Sequence, residues 1–278
     1  MTPGATADEL VTRTVGDGVA VLTWNRPERN NAWTIAMETE YFRLLQECAD
    51  DSAVRVIVVT GAGRSFCPGI DAQMLSEQAH GPTTTPHLRT PMTFPRSIPK
   101  PVIAAINGAC AGIGLVAAMN CDLRFASSTA KVATSFAQRG IMAEHDLAWS
   151  LPRAVGIAAA LDLLFSSRVI LAAEAQELGV VDRVFDPDEL IPKTLDYARN
   201  LARYSSPLAM GVMKRQVYAA QESSDEDARV LALRYWMGVL RDHPDFHEGV
   251  TSYLEQRPPD FAPWDHATPA EPPPLSTR

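Results

Sequence analysis

Between Arg139 and Gly156 the chain reads RGIMAEHDLAWSLPRAVG, which sets Glu144, His145 and Asp146 side by side among small and apolar residues. Three adjacent titratable groups either lie on a loop in water or supply an acid and a base. A carboxylate walled by apolar side chains is a serviceable base towards a weakly acidic C–H, because burial disfavours its charged form. The stretch alone leaves open which of the three takes that task and which of them cap the next helix or face water. Asp146 suits the N-cap of a helix running through Trp149.

Two further stretches can meet developing negative charge. GAGRSFCPGIDAQML (61–75) and NGACAGIGLVAAMN (107–120) each run from a strand through a glycine-bearing turn into a helix. Backbone N–H groups at a helix entrance have no intrahelical acceptor and can point at an anion. Asp71 is a good N-cap for the first of these helices. Cys67 and Cys110 lie beside the two turns and read as small buried thiols. His80, His87 and Arg89 border the proline-rich run HGPTTTPHLRTPMTFPRSIPKP, which forbids a long helix and predicts an irregular segment flanking a pocket. The four cysteines show neither CxxC nor Cys/His ligand spacing, so no metal site is expected.

These residues need a scaffold. VAVLTW (19–24) and VRVIVVTG (54–61) read as strands, the second too uniformly apolar for a surface. Between them Ile35, Met37, Tyr41, Leu44, Leu45 and Cys48 recur at helical spacing. Strand, helix and buried strand make a βαβ unit and predict an α/β fold with a parallel sheet. PVIAAING, GLVAAMN and DLRFAS repeat the pattern. Beyond Val155 the chain turns mostly helical, with Gly179 placed as a helix terminator, a short strand at VVDRVF and a charged break at SSDEDA. Leu231, Leu233, Tyr235, Trp236, Met237, Val239 and Leu240 offer more apolar surface than one internal face needs, which predicts an interface.

Charge and composition narrow the partners. A net charge of −8 without any Lys/Arg block argues against nucleic acid or an anionic membrane. Residues 101–120 are uncharged and long enough to span a bilayer, but Pro101, Asn107, Gly108, Gly112, Gly114 and Asn120 break them into strand, turn and buried helix. The N-terminus has neither a basic region nor an apolar core, so a cytoplasmic protein with reduced thiols is expected.

NRPERNNA, VIVVTGAGRSFCPGIDAQML, KPVIAAINGACAGIGLVAAMNCDLRFAS and LPRAVG, closed by HEGVTSYLEQRPPDF, occur in an order and spacing that resemble the crotonase (enoyl-CoA hydratase/isomerase) superfamily. The resemblance runs from about Val19 to Phe261. It implies a spiral of ββα units followed by helices that build a homotrimer, often a dimer of trimers. Residues 1–205 would form the spiral core, 206–262 the helical oligomerisation region and 263–278 a disordered tail. It also implies an acyl-CoA thioester substrate in fatty acid metabolism, with coenzyme A part of the substrate and no separate cofactor.

By the same resemblance, the thioester oxygen would sit between the N–H groups of Ile70 and Ile113. Pro68, Asp71, Gly112, Val116, Phe136 and His145 would contact substrate, and Arg29 would meet the adenosine end of CoA. Hydratases of the family carry two glutamates; at the matching positions stand Val116 and Phe136, which transfer no protons. Glu144 falls where other members keep an acidic residue at the acyl end of the pocket. The expected activity is enoyl-CoA isomerisation or hydration with Glu144 as acid/base. The alternative is an acyl-CoA-binding protein with little or no turnover.

Overall fold

The computed structural model describes residues 9–80, 89–263 and 272. The first turn is an Asp-Gly pair with both residues at positive φ, Asp17 at 54° and Gly18 at 76°. That geometry matches the right-handed twist of a hairpin. It joins β1 (Val11–Gly16) to β2 (Val19–Trp24) in antiparallel register from Val11↔Trp24 to Gly16↔Val19. The turn signal stands in the sequence, yet the run of apolar strands alone did not call for β1.

From β2 the chain crosses through α1 (Ile35–Asp50), capped by the Thr34 side chain accepting from the Met37 N–H, and returns as β3 (Val56–Gly61) parallel to β2. Every residue of β3 is buried. Ile57 and Val59 belong to the core with α1, while Val56 and Val58 pack towards the far side of the sheet. A strand covered on both faces must be apolar at every position, which is what its unbroken run records. On the α1 side Trp24 meets Trp33, Tyr41 and Phe66 with ring centroids 5.3, 5.5 and 4.5 Å away.

The next three turns of chain share one plan: a long strand in the large sheet, a short strand in a second sheet, then a helix. β4 (Ser65–Cys67) follows β3 and leads to α2 (Ala72–His80). After the short α3 (Phe94–Ser97), β5 (Val102–Ile106), β6 (Ala109–Ala111) and α4 (Ile113–Met119) repeat the plan. β7 (Leu123–Ser127) and β8 (Lys131–Ala133) then lead to α5 (Leu147–Val155) and α6 (Ile157–Ser166). β9 (Ile170–Leu171), α7 (Ala172–Leu178) and β10 (Arg183–Phe185) complete the core. The sheets run β1-β2-β3-β5-β7-β10 and β4-β6-β8-β9. This is the expected spiral of ββα units.

The uncharged run 101–120 is thus divided among β5, β6 and α4. Among the described residues no helix is long and apolar enough to cross a membrane. Gly179 ends α7 at φ 87°, as its position predicts.

Four helices close the fold: α8 (Leu190–Tyr204), α9 (Pro207–Ala220), α10 (Asp225–Tyr235) and α11 (Pro244–Leu254). Ala198 and Ala202 of α8 pack against Val56, Val58 and Phe125. The break at SSDEDA is a capping box, with Ser224 and Asp227 satisfying each other's backbone N–H. Buried Lys214 of α9 ties the helices to the core, donating to the carbonyls of Pro95 (2.7 Å) and Lys100 (3.0 Å) and pairing with Asp122 (2.7 Å).

One interface expectation changes here. Tyr235 packs inward with Leu208 and Val212, and Leu231, Val239 and Leu240 join that cluster. Leu233, Trp236 and Met237 alone of that group remain exposed. Most of the tail, and His87, lie outside the described residues.

Candidate active site

The two glycine turns are brought together by strand pairing. β4 and β6 are parallel neighbours, with Ser65 opposite Ala109 and Cys67 opposite Cys110. The turns that follow them, Pro68–Ile70 and Gly112–Ile113, therefore emerge side by side. Gly114 sets how closely they approach: a Cβ there would stand 2.1 Å from the Cys67 carbonyl oxygen, so the first turn of α4 rests directly on β4. Gly112 takes φ 52°, ψ −122°, a conformation that a side chain resists, and its outward face lies against Gly69.

Each turn carries an N–H without a backbone acceptor among the described residues. Trp33 donates to the Gly69 carbonyl over 2.8 Å and accepts from the Asp71 N–H over 2.9 Å. This bridge spends the groups on either side of Ile70 and leaves the Ile70 N–H without a backbone acceptor among the described residues. Ile113 is the first residue of α4 and has no intrahelical acceptor by position. Both residues line one cavity of about 190 Å³ with Pro68, Gly69 and Gly112.

The opposite wall comes from the segment after β8: Ser135, Phe136, Arg139, Ile141 and Glu144. Glu144 is half-buried, and its carboxylate has no hydrogen-bond or ion-pair partner among the described residues. Its loop is pinned at both ends. The Ile141 N–H donates to the Phe136 carbonyl over 3.1 Å. Asp146 accepts from Asn120 Nδ2 over 2.8 Å and forms an ion pair with Arg96. Asn120 is fully buried at the C-terminal end of α4, and Arg96 lies over the rings of Trp149 (4.9 Å) and Tyr218 (5.7 Å).

Asp146 therefore corrects one expectation. It occupies the N-cap position of α5, but its side chain makes no capping bond; only its carbonyl enters the helix, accepting from the Ser150 N–H. Its carboxylate is spent on Asn120 and Arg96.

The other sequence candidates fall into three groups. Ile70, Ile113, Pro68, Gly112, Phe136 and Glu144 share the cavity. Val116 is wholly buried on α4, and His145 is exposed at φ 54°; neither lines it. Arg29 is exposed at the end of a single 3-10 turn, also outside the cavity.

Asp71 is committed elsewhere. It accepts from the Gln73 N–H over 3.1 Å, as an N-cap should, and pairs with Arg26 at 3.2 Å. Burial pushes its carboxyl up, but the Gln73 N–H and the Arg26 guanidinium outweigh this and hold it below the usual carboxylate range.

Arg89 is paired with Glu38 at 3.0 Å, and only the backbone of His80 is described. Cys67 is fully buried and its thiol is pushed up to about 12, chiefly by burial; Cys110 is pushed up for the same reason. Neither thiol is a nucleophile at neutral pH. No group of three or more His, Cys, Asp or Glu that could hold a metal exists among the described residues. Sequence reasoning passed over Arg139, an ordinary-looking arginine in AQRG that lines the same cavity as Glu144.

Two N–H groups without a backbone acceptor thus face a loop carboxylate across one cavity, an arrangement able to hold developing negative charge on an oxygen beside a base. Residues 14–263 match the Enoyl-CoA hydratase/isomerase family. Relatives include the 1,2-epoxyphenylacetyl-CoA isomerase of Escherichia coli K12, 30% identical over 259 residues (91% of this chain, 98% of that protein). The (E)-benzylidenesuccinyl-CoA hydratase of Thauera aromatica is 34% identical, covering 90% of this chain and 98% of that protein. The solved structure of a probable enoyl-CoA hydratase/isomerase from Mycobacterium abscessus superposes with a TM-score of 0.85 at 29% identity, covering 91% and 99% of the two chains. The chain belongs to the enoyl-CoA hydratase/isomerase family and is an acyl-CoA-processing enzyme.

Proposed function

We propose that the enzyme moves a proton beside the thioester carbonyl of an enoyl-CoA, with Glu144 as acid and base and the N–H groups of Ile70 and Ile113 as donors to the enolate oxygen. The observation that carries this reading is a cavity lined by both of these residues and, among its described residues, by a single carboxylate. Taking a proton from the carbon next to a thioester, or from the vinylogous position, builds negative charge on the carbonyl oxygen. Donors already aimed at that oxygen need no reorganisation, and each contributes roughly 10²–10³ in rate.

A single carboxylate suits isomerisation best: Glu144 takes a proton from one carbon and returns it to another. Hydration uses the same group to activate water. Phe136 and Val116 offer only hydrocarbon where the family's hydratases carry glutamates, so the proton chemistry rests on Glu144. In this reading Phe136 shapes the acyl wall, and exposed Arg29 meets the nucleotide end of CoA.

The assembly we expect is a trimer or a dimer of trimers. Exposed Met142, Ile157, Phe165, Tyr253 and Leu254, each at least 72% accessible, support it, since a monomer rarely leaves so many large apolar groups in water. A stable monomer in sedimentation at micromolar concentration would contradict it. Four free, buried cysteines fit the reducing cytoplasm.

The experiment for the catalytic reading is turnover of an enoyl-CoA panel in D₂O with mass analysis. Isomerisation gives a product of unchanged composition, separated by chromatography and labelled to the extent that Glu144 exchanges its proton, whereas hydration adds the mass of water. Neither an isomer nor a hydrate across the panel would overturn the reading.

A further inference from the structure

The cavity that holds Glu144 also holds a cation, Arg139, the only one among the described residues that line it. Arg139 ends a 3-10 turn, Ala137–Arg139, and its Nη1 donates to the Ser135 carbonyl over 2.7 Å. That bond fixes one corner of the guanidinium. The remaining N–H groups find no acceptor among the described residues, and no ion pair joins Arg139 to Glu144. Guanidinium presents five N–H donors in a planar fork matched to a carboxylate. Arg139 is an exposed residue of the cavity wall, so its open N–H groups face water until an anionic group enters the cavity.

An anion that reaches this wall beside the thioester belongs to the acyl group. The thioester oxygen is placed by Ile70 and Ile113 in this same cavity, and the phosphates of CoA stand beyond the whole pantetheine arm. They are out of reach of a side chain that shares the thioester's cavity. Glu144 adds a second argument: a carboxylate entering an otherwise apolar pocket that already holds Glu144 is repelled unless a cation receives it. With a chain net charge of −8, no general positive field does this. Only a local group can.

Resting on the thioester reading above, we infer that the preferred substrates are acyl-CoAs whose acyl group carries a carboxylate, or a comparable anionic oxygen group, bound by Arg139. Arg139 is thus a specificity-determining residue, and a plain hydrocarbon chain is the poorer ligand.

The test compares glutaryl-CoA with pentanoyl-CoA, which share chain length, lack the reactive double bond and differ in the terminal charge. Calorimetric titration of the full chain should show glutaryl-CoA bound about 10-fold more tightly, as one charge-assisted pair supplies. The preference should shrink as ionic strength rises. Arg139→Gln should bring the ratio to one or below, and Arg139→Lys should restore part of it.

A wild-type ratio of one or less overturns the inference. So does equal weakening of both ligands by Arg139→Gln, which would leave Arg139 as a brace for Ser135 alone. Should Arg139→Gln fail to fold, the wild-type ratio and its salt dependence decide. Because neither ligand needs turnover, a ratio that holds in a protein inert towards enoyl-CoAs separates failure of the catalytic reading from failure of this one. Binding of neither thioester overturns both.

Discussion

Asn120 Nδ2 donates to Asp146 Oδ1 over 2.8 Å, joining the far end of α4 to the loop that carries Glu144 two residues earlier. The near end of α4 carries Ile113, so one short helix and one side-chain bond link the Ile113 N–H to the loop of Glu144. Arg96 closes the arrangement from the segment before β5. Asn120 also donates to the Val116 carbonyl over 2.9 Å, which fixes its own amide.

Asp146→Asn keeps the shape but leaves the Arg96 charge uncompensated in a half-buried site. Stability should fall by about 1–3 kcal/mol in denaturant titration. Turnover should fall within roughly tenfold through kcat, with KM nearly held, because misplacing a catalytic group affects the reacting geometry more than binding. A large rise in KM with unchanged kcat would speak against the tether.

Gly114→Ala places a methyl where the Cys67 carbonyl already stands, 2.1 Å away. Backbone cannot move aside as a side-chain tip can, so the first turn of α4 must shift and take the Ile113 N–H with it. The variant should lose about 1–3 kcal/mol of stability from overpacking and roughly 10²-fold in kcat from the displaced donor. Wild-type kinetics and melting together would show that the close approach of α4 to β4 is dispensable.

Glu248 accepts from Arg257 through both carboxylate oxygens, at 2.6 and 2.9 Å, and from the Asp260 N–H at 2.7 Å. The Arg257 bonds, helped by the Asp260 N–H, bring its carboxyl down to about 2 from 4.5. A carboxyl depressed in the folded state binds fewer protons there than in the unfolded chain, so its contribution is present above pH 4.5 and is lost as pH falls towards 2. Glu248→Gln should therefore melt below wild type at neutral pH, with the gap closing as pH drops below the unfolded value. A gap independent of pH would assign the loss to something other than charge.

What the sequence disclosed and what it withheld divide by range. The unbroken run of β3 announced burial on both faces, and the glycines of the two turns announced close backbone approach, because both are local signatures. The strands of the second sheet, three residues in β4, β6 and β8, are too short to show any period. Asp146 looked like an N-cap because its position is one; its partner Arg96 lies 50 residues earlier, and no local pattern joins them. Val116 and Phe136 showed what the site lacks. Arg139 stayed hidden because nothing in AQRG separates an arginine lining a cavity from one in open water. Only the fold places it in one cavity with Ile70 and Ile113.

The central claim is that Glu144 carries the proton, and Glu144→Gln tests it most directly. The amide keeps the volume and hydrogen-bonding shape while removing the base, and Ile70, Ile113 and Arg29 are untouched. Measured on an enoyl-CoA that the wild type converts, kcat should drop by roughly 10²–10⁴, the usual share of general acid–base catalysis, and deuterium exchange should fall with it. The Kd for the acyl-CoA should stay within a few-fold. Full turnover by Glu144→Gln would place the base elsewhere and contradict the account.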